Sequence, residues 1–218
     1  MNRFSLPVMF AVAASALGGC GGAEALHAAE TGEAMELSST EQALESATTV
    51  YAVNDGWVTH NATSSTENHY MLGKVWWFMS GDNYYDGFMT FSLGGLPSNA
   101  YIKSASLQFT ITEVTGNPFD TLDALYVARV SPYTTLGTNL STAVRYDTKL
   151  VRATKPTLPA PISIDVTDMV RNGLDYKRQV YLTLFFPHHS ISQSHETAKV
   201  SSSRAWSGTP NLRVTYTY

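Results

Sequence analysis

Aromatic side chains are crowded into residues 57–85. The candidates among them for a ligand-stacking surface are Trp57, Trp76, Trp77, Tyr84 and Tyr85. A flat aromatic ring combines a large apolar face with a polar edge, which suits the C–H face of a sugar ring. Trp76 and Trp77 are adjacent, so on a strand they point to opposite faces and only one can join a core. The other is a candidate platform; coverage of both rings by neighbouring loops is the alternative.

A run of basic side chains follows later in the chain. It comprises Arg145, Lys149, Arg152 and Lys155, with Asp147 as the single acidic residue between them. Such a row of cations could clamp the carboxylates of an acidic polysaccharide, arginine doing so through paired hydrogen bonds. A solvated loop, or an edge strand that charge protects from pairing, accounts for the same run.

Oxygen-bearing side chains precede Gly87. Asp82, Asn83 and Asp86 are the ligand types that Ca²⁺ prefers, although their spacing lacks the full pattern of an EF-hand loop. They form a candidate site for structural calcium, and we expect no other cofactor. A separate cluster of histidines and an acid matches no known zinc spacing and is interpreted as a polar surface loop; its members are His188, His189, His195 and Glu196.

The chain carries none of the short motifs that support common enzyme chemistry. It lacks G-x-S-x-G, H-E-x-x-H, C-x-x-C and the phosphate-binding G-x-x-x-x-G-K. Its formal net charge is −4 and 15% of its residues are charged, so no strong electrostatic field indicates a nucleic-acid partner. We therefore expect a non-catalytic protein that binds no nucleic acid.

The only cysteine, Cys20, stands at the end of an apolar run. Arg3 supplies a single positive charge before this run, and residues 6–17 are apolar except for Pro7 and Ser15. This run is too short for a comfortable membrane span and has the layout of a cleaved export signal. An ordinary secretory signal with an incidental cysteine is the alternative, but a lone cysteine here has no disulfide partner to explain it.

Residues 1–19 resemble a bacterial lipoprotein signal peptide, with residues 17–20 as its lipobox. The resemblance implies cleavage before Cys20, lipidation of its thiol and anchorage in the cell envelope. Gly21 follows the cysteine where an inner-membrane lipoprotein would carry Asp, which implies the outer membrane. Several acyl chains would hold the protein durably, since each buried CH₂ contributes about 0.8 kcal/mol.

Composition divides the remaining chain in two. Residues 20–49 are rich in Ala and Glu and, after Cys20, hold no Lys, Arg or aromatic residue, which predicts an acidic, partly helical linker that spaces the domain from the membrane. From Val50 onward aromatic residues and Gly/Pro turn signals dominate. Residues 50–218 are long enough for one domain with a full core.

The periodicity of this domain is that of strands. We predict strands over residues 88–93, 106–112, 125–130, 161–166, 180–186 and 212–218. Leu107, Phe109 and Ile111 should share one buried face. The one convincing helical turn spans residues 168–172, capped by Asp165 or Thr167 and ended by Gly173. This pattern predicts an all-β, antiparallel, two-sheet sandwich of jelly-roll type.

Three stretches resemble motifs of DNRLRE-type domains. Residues 88–107 resemble the opening motif, and residues 164–170 resemble the D-V-T-D motif. Residues 200–216 resemble the closing motif, in which P-x-L is followed by T-Y. That family comprises extracellular jelly-roll domains, some of them alginate-binding carbohydrate-binding modules and others repeated modules of surface proteins. The basic residue usual before the first phenylalanine is replaced here around Asp86 and Gly87, so the family's ligand contacts are not carried over.

Together these features lead us to expect a lipid-anchored surface module that binds extracellular polysaccharide, with an acidic, alginate-like polymer as the candidate. The alternative is a structural protein of the envelope or matrix that acts through contacts with other proteins. An exposed tryptophan beside a shallow groove would favour sugar binding, whereas an apolar patch or a long open edge strand would favour assembly.

Replacing Cys20 tests the predicted anchor. Cys20→Ser should move the protein from the membrane fraction to the soluble fraction, because serine receives no acyl chains to bury in the bilayer. Immunoblotting of fractionated cells measures the distribution. Equal membrane recovery of wild type and variant would exclude the lipoprotein interpretation.

Overall fold

The computed structural model describes residues 44–59, 61–64, 68–79, 81–175, 177–188, 193–202 and 210–218. The signal sequence, Cys20, most of the acidic linker and His189 lie outside the described residues. All described strands belong to one compact unit, Gln42–Tyr218. Across the described ranges, no helix has both the length and the apolar character needed to span a bilayer.

The described part of the chain holds eleven strands and little helix. The strands are β1 (Glu45–Val58), β2 (Thr63–Ser64), β3 (His69–Trp77), β4 (Gly81–Ser92), β5 (Tyr101–Thr115), β6 (Leu125–Val130), β7 (Arg145–Arg152), β8 (Ala160–Asp165), β9 (Gln179–Phe185), β10 (Glu196–Ser201) and β11 (Asn211–Thr217). The helices are α1 (Pro118–Thr121) and α2 (Thr167–Asp175), with a 3₁₀ turn over Thr138–Thr142. Every strand pairing is antiparallel, so the predicted all-β antiparallel class is confirmed.

Two sheets share two long strands. In the first sheet β5 pairs with β8 on one side and with β10 and β11 on the other; β11 continues to β1, and β10 continues through β3 to β4. In the second sheet the order is β2, β1, β4, β9, β6 and β7. β1 and β4 therefore take part in both sheets, with β1 changing partner near Tyr51 and Ala52.

One hydrophobic core lies between the two sheets. Leu107, Phe109 and Ile111 of β5 are fully buried, which confirms the face predicted from their alternation. From the second sheet, Phe91 and Leu182 belong to the same buried cluster. A smaller cluster of Val58, Phe88, Val130, Leu140 and Tyr181 forms where the segment after β6 is packed against the second sheet.

The predicted helix is confirmed but is longer than expected. Asp165 Oδ1 accepts hydrogen bonds from the backbone N (3.1 Å) and the hydroxyl (2.5 Å) of Thr167, which fixes the start of α2. Gly173 does not end the helix, which continues to Asp175. A Cβ at Gly173 would lie 2.4 Å from Val180 Cγ2, so glycine is needed there because α2 lies close against β9.

Three further expectations are corrected. The sheet begins at Glu45 rather than Val50, because the polar start of β1 is held by backbone pairing to β11 and not by apolar side chains. The helical turns α1 and Thr138–Thr142 accompany the single predicted one. Glu196 is not in a surface loop but begins β10, where its buried carboxylate accepts hydrogen bonds from the Asn117 backbone and from Ser194 (2.6 Å).

Truncating the core ring of β5 tests this packing. Phe109→Ala should lower the free energy of unfolding by about 3–5 kcal/mol, because it removes a buried ring and leaves a cavity. Chemical denaturation measures the change. Phe78→Ala is the matched control: the same truncation at an exposed ring should change stability by no more than about 0.5 kcal/mol. A small effect at Phe109 would contradict the packing of β5.

Candidate functional site

A polar groove of about 450 Å³ lies at the end of the domain where β4 begins. We call it the distal groove. It is lined by Asn61, Asp82, Asn83, Tyr84, Asp86, Ser141, Thr142, Arg145, Phe186 and Pro187. Val58 at the end of β1 pairs with Asp86, while Glu45 at its start pairs with Thr217. The groove is thus separated from the start of β1 by the 14 residues of that strand, up to about 45 Å along it.

Five pieces of the chain build this groove. The first residues of β4 supply Asp82, Asn83, Tyr84 and Asp86, and Asn61 comes from the turn after β1. Ser141 and Thr142 come from the 3₁₀ turn, Arg145 from the start of β7, and Phe186 and Pro187 from the end of β9. The Asn61 amide donates to Asn83 Oδ1 at 3.1 Å, which ties the turn to β4.

An ion pair between Asp86 and Arg145 crosses the groove. Nη2 of Arg145 donates to Asp86 Oδ2, and the guanidinium carbon lies 4.1 Å from the centre of the Phe185 ring. Nε of Arg145 is buried and makes no hydrogen bond to the part of the chain that the structure describes. Arg145 is therefore held in place by a ring and one carboxylate while part of its donor edge stays unsatisfied.

The protonation of Asp86 is shifted by its surroundings. Burial raises the pKa of Asp86 from 3.8 to about 6, although the charge and hydrogen bond of Arg145 act in the opposite direction. The Asp86 side chain is only 15% exposed, so loss of hydration outweighs the attraction of one cation. The groove therefore contains a carboxyl group that changes charge in the mildly acidic range.

The three candidate calcium ligands lie in the groove but are each engaged by the protein. Asp82 pairs at 3.2 Å with Nζ of Lys74, a fully buried lysine, and Asp86 pairs with Arg145. Asn83 accepts from Asn61. Across the residues that the structure describes, no three His, Cys, Asp or Glu side chains converge as a metal-binding group.

The predicted aromatic residues lie at the same end of the domain, on β1 and the β3–β4 hairpin. Trp57 contacts Tyr85 edge to face, with ring centres 5.0 Å apart, and Tyr84 lines the groove. Trp76 is half-buried and lies 6.1 Å from the Phe78 ring in a T-shaped contact. Trp77, in contrast, is 53% exposed at the end of β3, so it is the available ring of the adjacent pair.

The basic run does not form a single clamp, which corrects the grouping predicted from sequence. Only Arg145 lines the groove. Lys149 pairs with Asp165 at 3.0 Å, Arg152 Nε donates to the Thr154 carbonyl at 2.8 Å, and Lys155 Nζ donates to the Gly116 carbonyl at 3.1 Å. Arg145 begins β7 and Arg152 ends it, with two register shifts in the pairing to β6 between them, and Lys155 lies beyond the strand. β7 has β6 as its only partner among the described strands, so the charge-protected edge strand is the interpretation that the structure supports.

Several groove residues could not be singled out from sequence. Asn61, Ser141, Thr142, Phe186 and Pro187 carry no motif, and they meet only because the turn after β1, the 3₁₀ turn and the end of β9 converge. Phe185, which supports the Arg145 guanidinium, was part of a predicted strand. Its apolar run indicated burial but not a contact with a cation.

A second groove, of about 620 Å³, lies against the segment that follows β6. Tyr133 is half-buried beside it and contacts the Tyr181 ring edge to face at 5.1 Å. Burial raises the pKa of the Tyr133 hydroxyl, so that hydroxyl stays neutral. Lys177 and Gln179 also line this groove.

Comparison with known proteins adds no family assignment. No protein-family model matches the chain, and no curated protein is significantly similar to it in sequence. The similarity to DNRLRE-type domains therefore rests on the three sequence motifs alone.

The shifted carboxyl of Asp86 predicts how stability varies with pH. Between about pH 4 and pH 6 the folded state binds more protons than the unfolded state, so the free energy of unfolding should fall as pH rises. Asp86→Asn cannot titrate, and its stability relative to wild type should therefore increase across the same window. Urea unfolding at a series of pH values measures both proteins.

Asp165 supplies a control of opposite sign. Hydrogen bonds from Thr167 and Lys149 lower its pKa to about 2, so its contribution is complete above about pH 4 and is lost as pH falls toward 2. Asp165→Asn should therefore show its largest deficit relative to wild type above pH 4. A constant difference between wild type and Asp86→Asn from pH 4 to pH 6 would contradict the shifted pKa of Asp86.

Proposed function

We propose that this protein is a lipid-anchored, non-catalytic module of the cell envelope that binds an extracellular polysaccharide in the distal groove. The observation that carries the proposal is the composition of this groove, in which amides, hydroxyls and one guanidinium surround a tyrosine. These donors and acceptors match the hydroxyl-rich edge of a sugar, and the ring matches its C–H face.

The exposed Trp77 supports a sugar ligand. It belongs to the hairpin whose other strand lines the groove, since Trp76 pairs with Asp82 and Trp77 with Gly81. A large ring that is 53% exposed leaves considerable apolar area in water. Trp77 does not line the groove itself, but stacking on a unit of a bound polymer that extends beyond the groove would cover that area without excluding all water.

The position of the groove suits a tethered protein. Glu45, the first residue of β1, lies at the opposite end of this strand from the residue that pairs with Asp86. The groove therefore lies at the end of β1 that is further along the chain from the proposed anchor at Cys20 and its acidic linker. A polymer outside the cell envelope could approach such a groove without contacting the membrane.

The charges of the groove support binding rather than catalysis. Both carboxylates are ion-paired, Asp82 with Lys74 and Asp86 with Arg145. An acid–base pair in a glycosidase needs both carboxyl groups directed at the bond to be cleaved. Here each one is engaged by a neighbouring cation.

A structural role in the envelope is the second candidate, and one observation favours it. Trp77, Phe78 and Met79 form an exposed apolar tip, with exposures of 53%, 87% and 96%. One contact argues against assembly through the sheet edges. Lys149 of β7 is paired with Asp165 of β8, so two edge strands of the described sheets are connected to each other by an ion pair. The exposed tip is the surface that we propose for such protein contacts.

Binding to immobilised glycans tests the proposal. Purified full-length protein should be retained by acidic polysaccharide at low salt. Trp77→Ala should weaken binding about tenfold, since the loss of an aromatic contact is worth roughly 1–1.5 kcal/mol. Arg145→Gln should weaken binding to acidic glycans selectively, because among the described residues it removes the only cation that lines the groove. Affinity electrophoresis and an assay for new reducing ends measure binding and cleavage.

The double variant Lys149→Ala, Arg152→Ala is the matched control. It removes two positive charges from β7 outside the groove, so it should leave affinity within about twofold of wild type. A loss of binding in this variant alone would indicate that the binding site lies at the sheet edge and not in the groove. Absence of binding to every glycan would favour the structural role, and release of reducing ends would show an enzyme.

A further inference from the structure

We infer that one glycan chain occupies both grooves, crossing the 3₁₀ turn between them, and that Lys177 in the second groove receives the carboxylate of a uronate unit. The inference rests on the proposed function, to which it adds a second sugar subsite and a ligand class, a uronate-containing glycan. The added subsite is the groove of about 620 Å³ that lies against the segment after β6.

The two grooves have a wall in common, the 3₁₀ turn over Thr138–Thr142. Leu140 and Ala143 line the second groove. Ser141 and Thr142, which lie between them in the chain, line the distal groove. Residues three apart in a 3₁₀ turn lie above one another, so the turn presents one side to each groove. Leu140 is buried against the second sheet and holds the turn in place. A polymer that crosses this turn is therefore in contact with both grooves.

The turn also offers acceptors to a polymer that crosses it. The hydroxyl of Ser141 donates to the Thr138 carbonyl at 2.8 Å. The hydroxyl of Thr142 donates to the Asn139 carbonyl at 3.1 Å. Each hydroxyl oxygen retains lone pairs that accept hydrogen bonds from the hydroxyls of a sugar. Thr142 and Asn139 are exposed, so the wall between the grooves is both polar and accessible to a ligand.

The lining of the second groove suits an acidic sugar. Lys177 is exposed there, and none of the described residues that line this groove is acidic. In the distal groove, by contrast, Arg145 is paired with Asp86. The half-buried ring of Tyr133 also lines the second groove, and further polar side chains in its lining are Ser131, Thr134, Thr135, Asn139 and Gln179. A uronate therefore finds a cation, hydroxyls and amides at this groove without a carboxylate in its lining.

The backbone fixes the position from which Lys177 reaches the groove. Lys177 and Arg178 both have positive φ, 48° and 53°, in the short connection from α2 to β9. Nη2 of Arg178 donates to the carbonyls of Leu96 at 2.7 Å and Pro97 at 3.0 Å. The carbonyl of Arg178 accepts from the Leu93 backbone N–H at 2.8 Å. These bonds hold the connection against the loop before β5, and a cation on a fixed backbone loses less entropy when a ligand binds.

A series of oligosaccharides of increasing length tests the inference on the full-length protein. Oligouronates prepared from alginate, from the disaccharide upward, and neutral oligosaccharides of the same lengths are titrated by calorimetry. The affinity of wild type should rise about 100-fold once an oligouronate is long enough to enter both grooves, because the second contact then becomes intramolecular. At that length one oligouronate should bind per protein.

Lys177→Gln isolates the contribution of the second groove. It should weaken binding of long oligouronates about tenfold, because the hydrogen bonds from a cation to a carboxylate are lost. Neutral oligosaccharides of the same length should bind as they do to wild type, and Lys177→Arg should keep most of the affinity for oligouronates. Lys155→Gln is the matched control, since it removes the same charge from a lysine that lines neither groove, and its affinity should stay within about twofold of wild type.

The possible outcomes separate this inference from the proposed function. Three results would each overturn the bridging chain while leaving the distal groove as a binding site. They are equal affinity across the length series, two long oligouronates bound per protein, and long oligouronates bound by Lys177→Gln as tightly as by wild type. Absence of binding to every oligosaccharide would overturn the proposed function as well.

Discussion

The passage of β1 and β4 from one sheet to the other is the constraint on which this domain depends. Each strand has hydrogen-bonded partners in both sheets, so the sheets are fixed relative to each other by backbone pairing as well as by the core. The distal groove forms beside this crossing, where β4 leaves β3 and joins β9. The groove residues of β4 are therefore held by backbone pairing, Asp82, Asn83 and Tyr84 to β3 and Asp86 to β1, which gives a binding site a rigid base.

The groove is also where the structure departs from the general rule that charges stay in water. Lys74 is fully buried, and Asp86 is nearly so. Each is tolerated because an opposite charge lies within ion-pair distance, yet such pairs seldom stabilise a fold better than apolar residues would. Outside the groove, the buried carboxylates of Asp55 and Glu196 accept hydrogen bonds from Tyr70 and Ser194 instead.

The sequence predicted some elements well because their side chains alternate. In β5 and β11 one face contacts the core and the other contacts solvent, so apolar and polar residues alternate with a period of two in the sequence. β3 lacked such a signal, since Gly73 and the buried Lys74 interrupt its apolar pattern. The types of residue in the site could be predicted from the sequence, but their arrangement in space could not. Asp86 and Arg145 are 59 positions apart, and only the fold brings them together.

The internal pairing of the groove has a consequence for selectivity. A groove with free cations would attract any anion, including small ones, whereas here each charge is already compensated by its neighbour. If the groove binds an acidic polysaccharide as proposed, the ligand would therefore have to compete with Asp86 for Arg145. A polymer could add hydrogen bonds along the amides of Asn61 and Asn83 and stacking on an exposed ring. The proposed preference for a polymer over a small anion would then follow from the sum of several weak contacts.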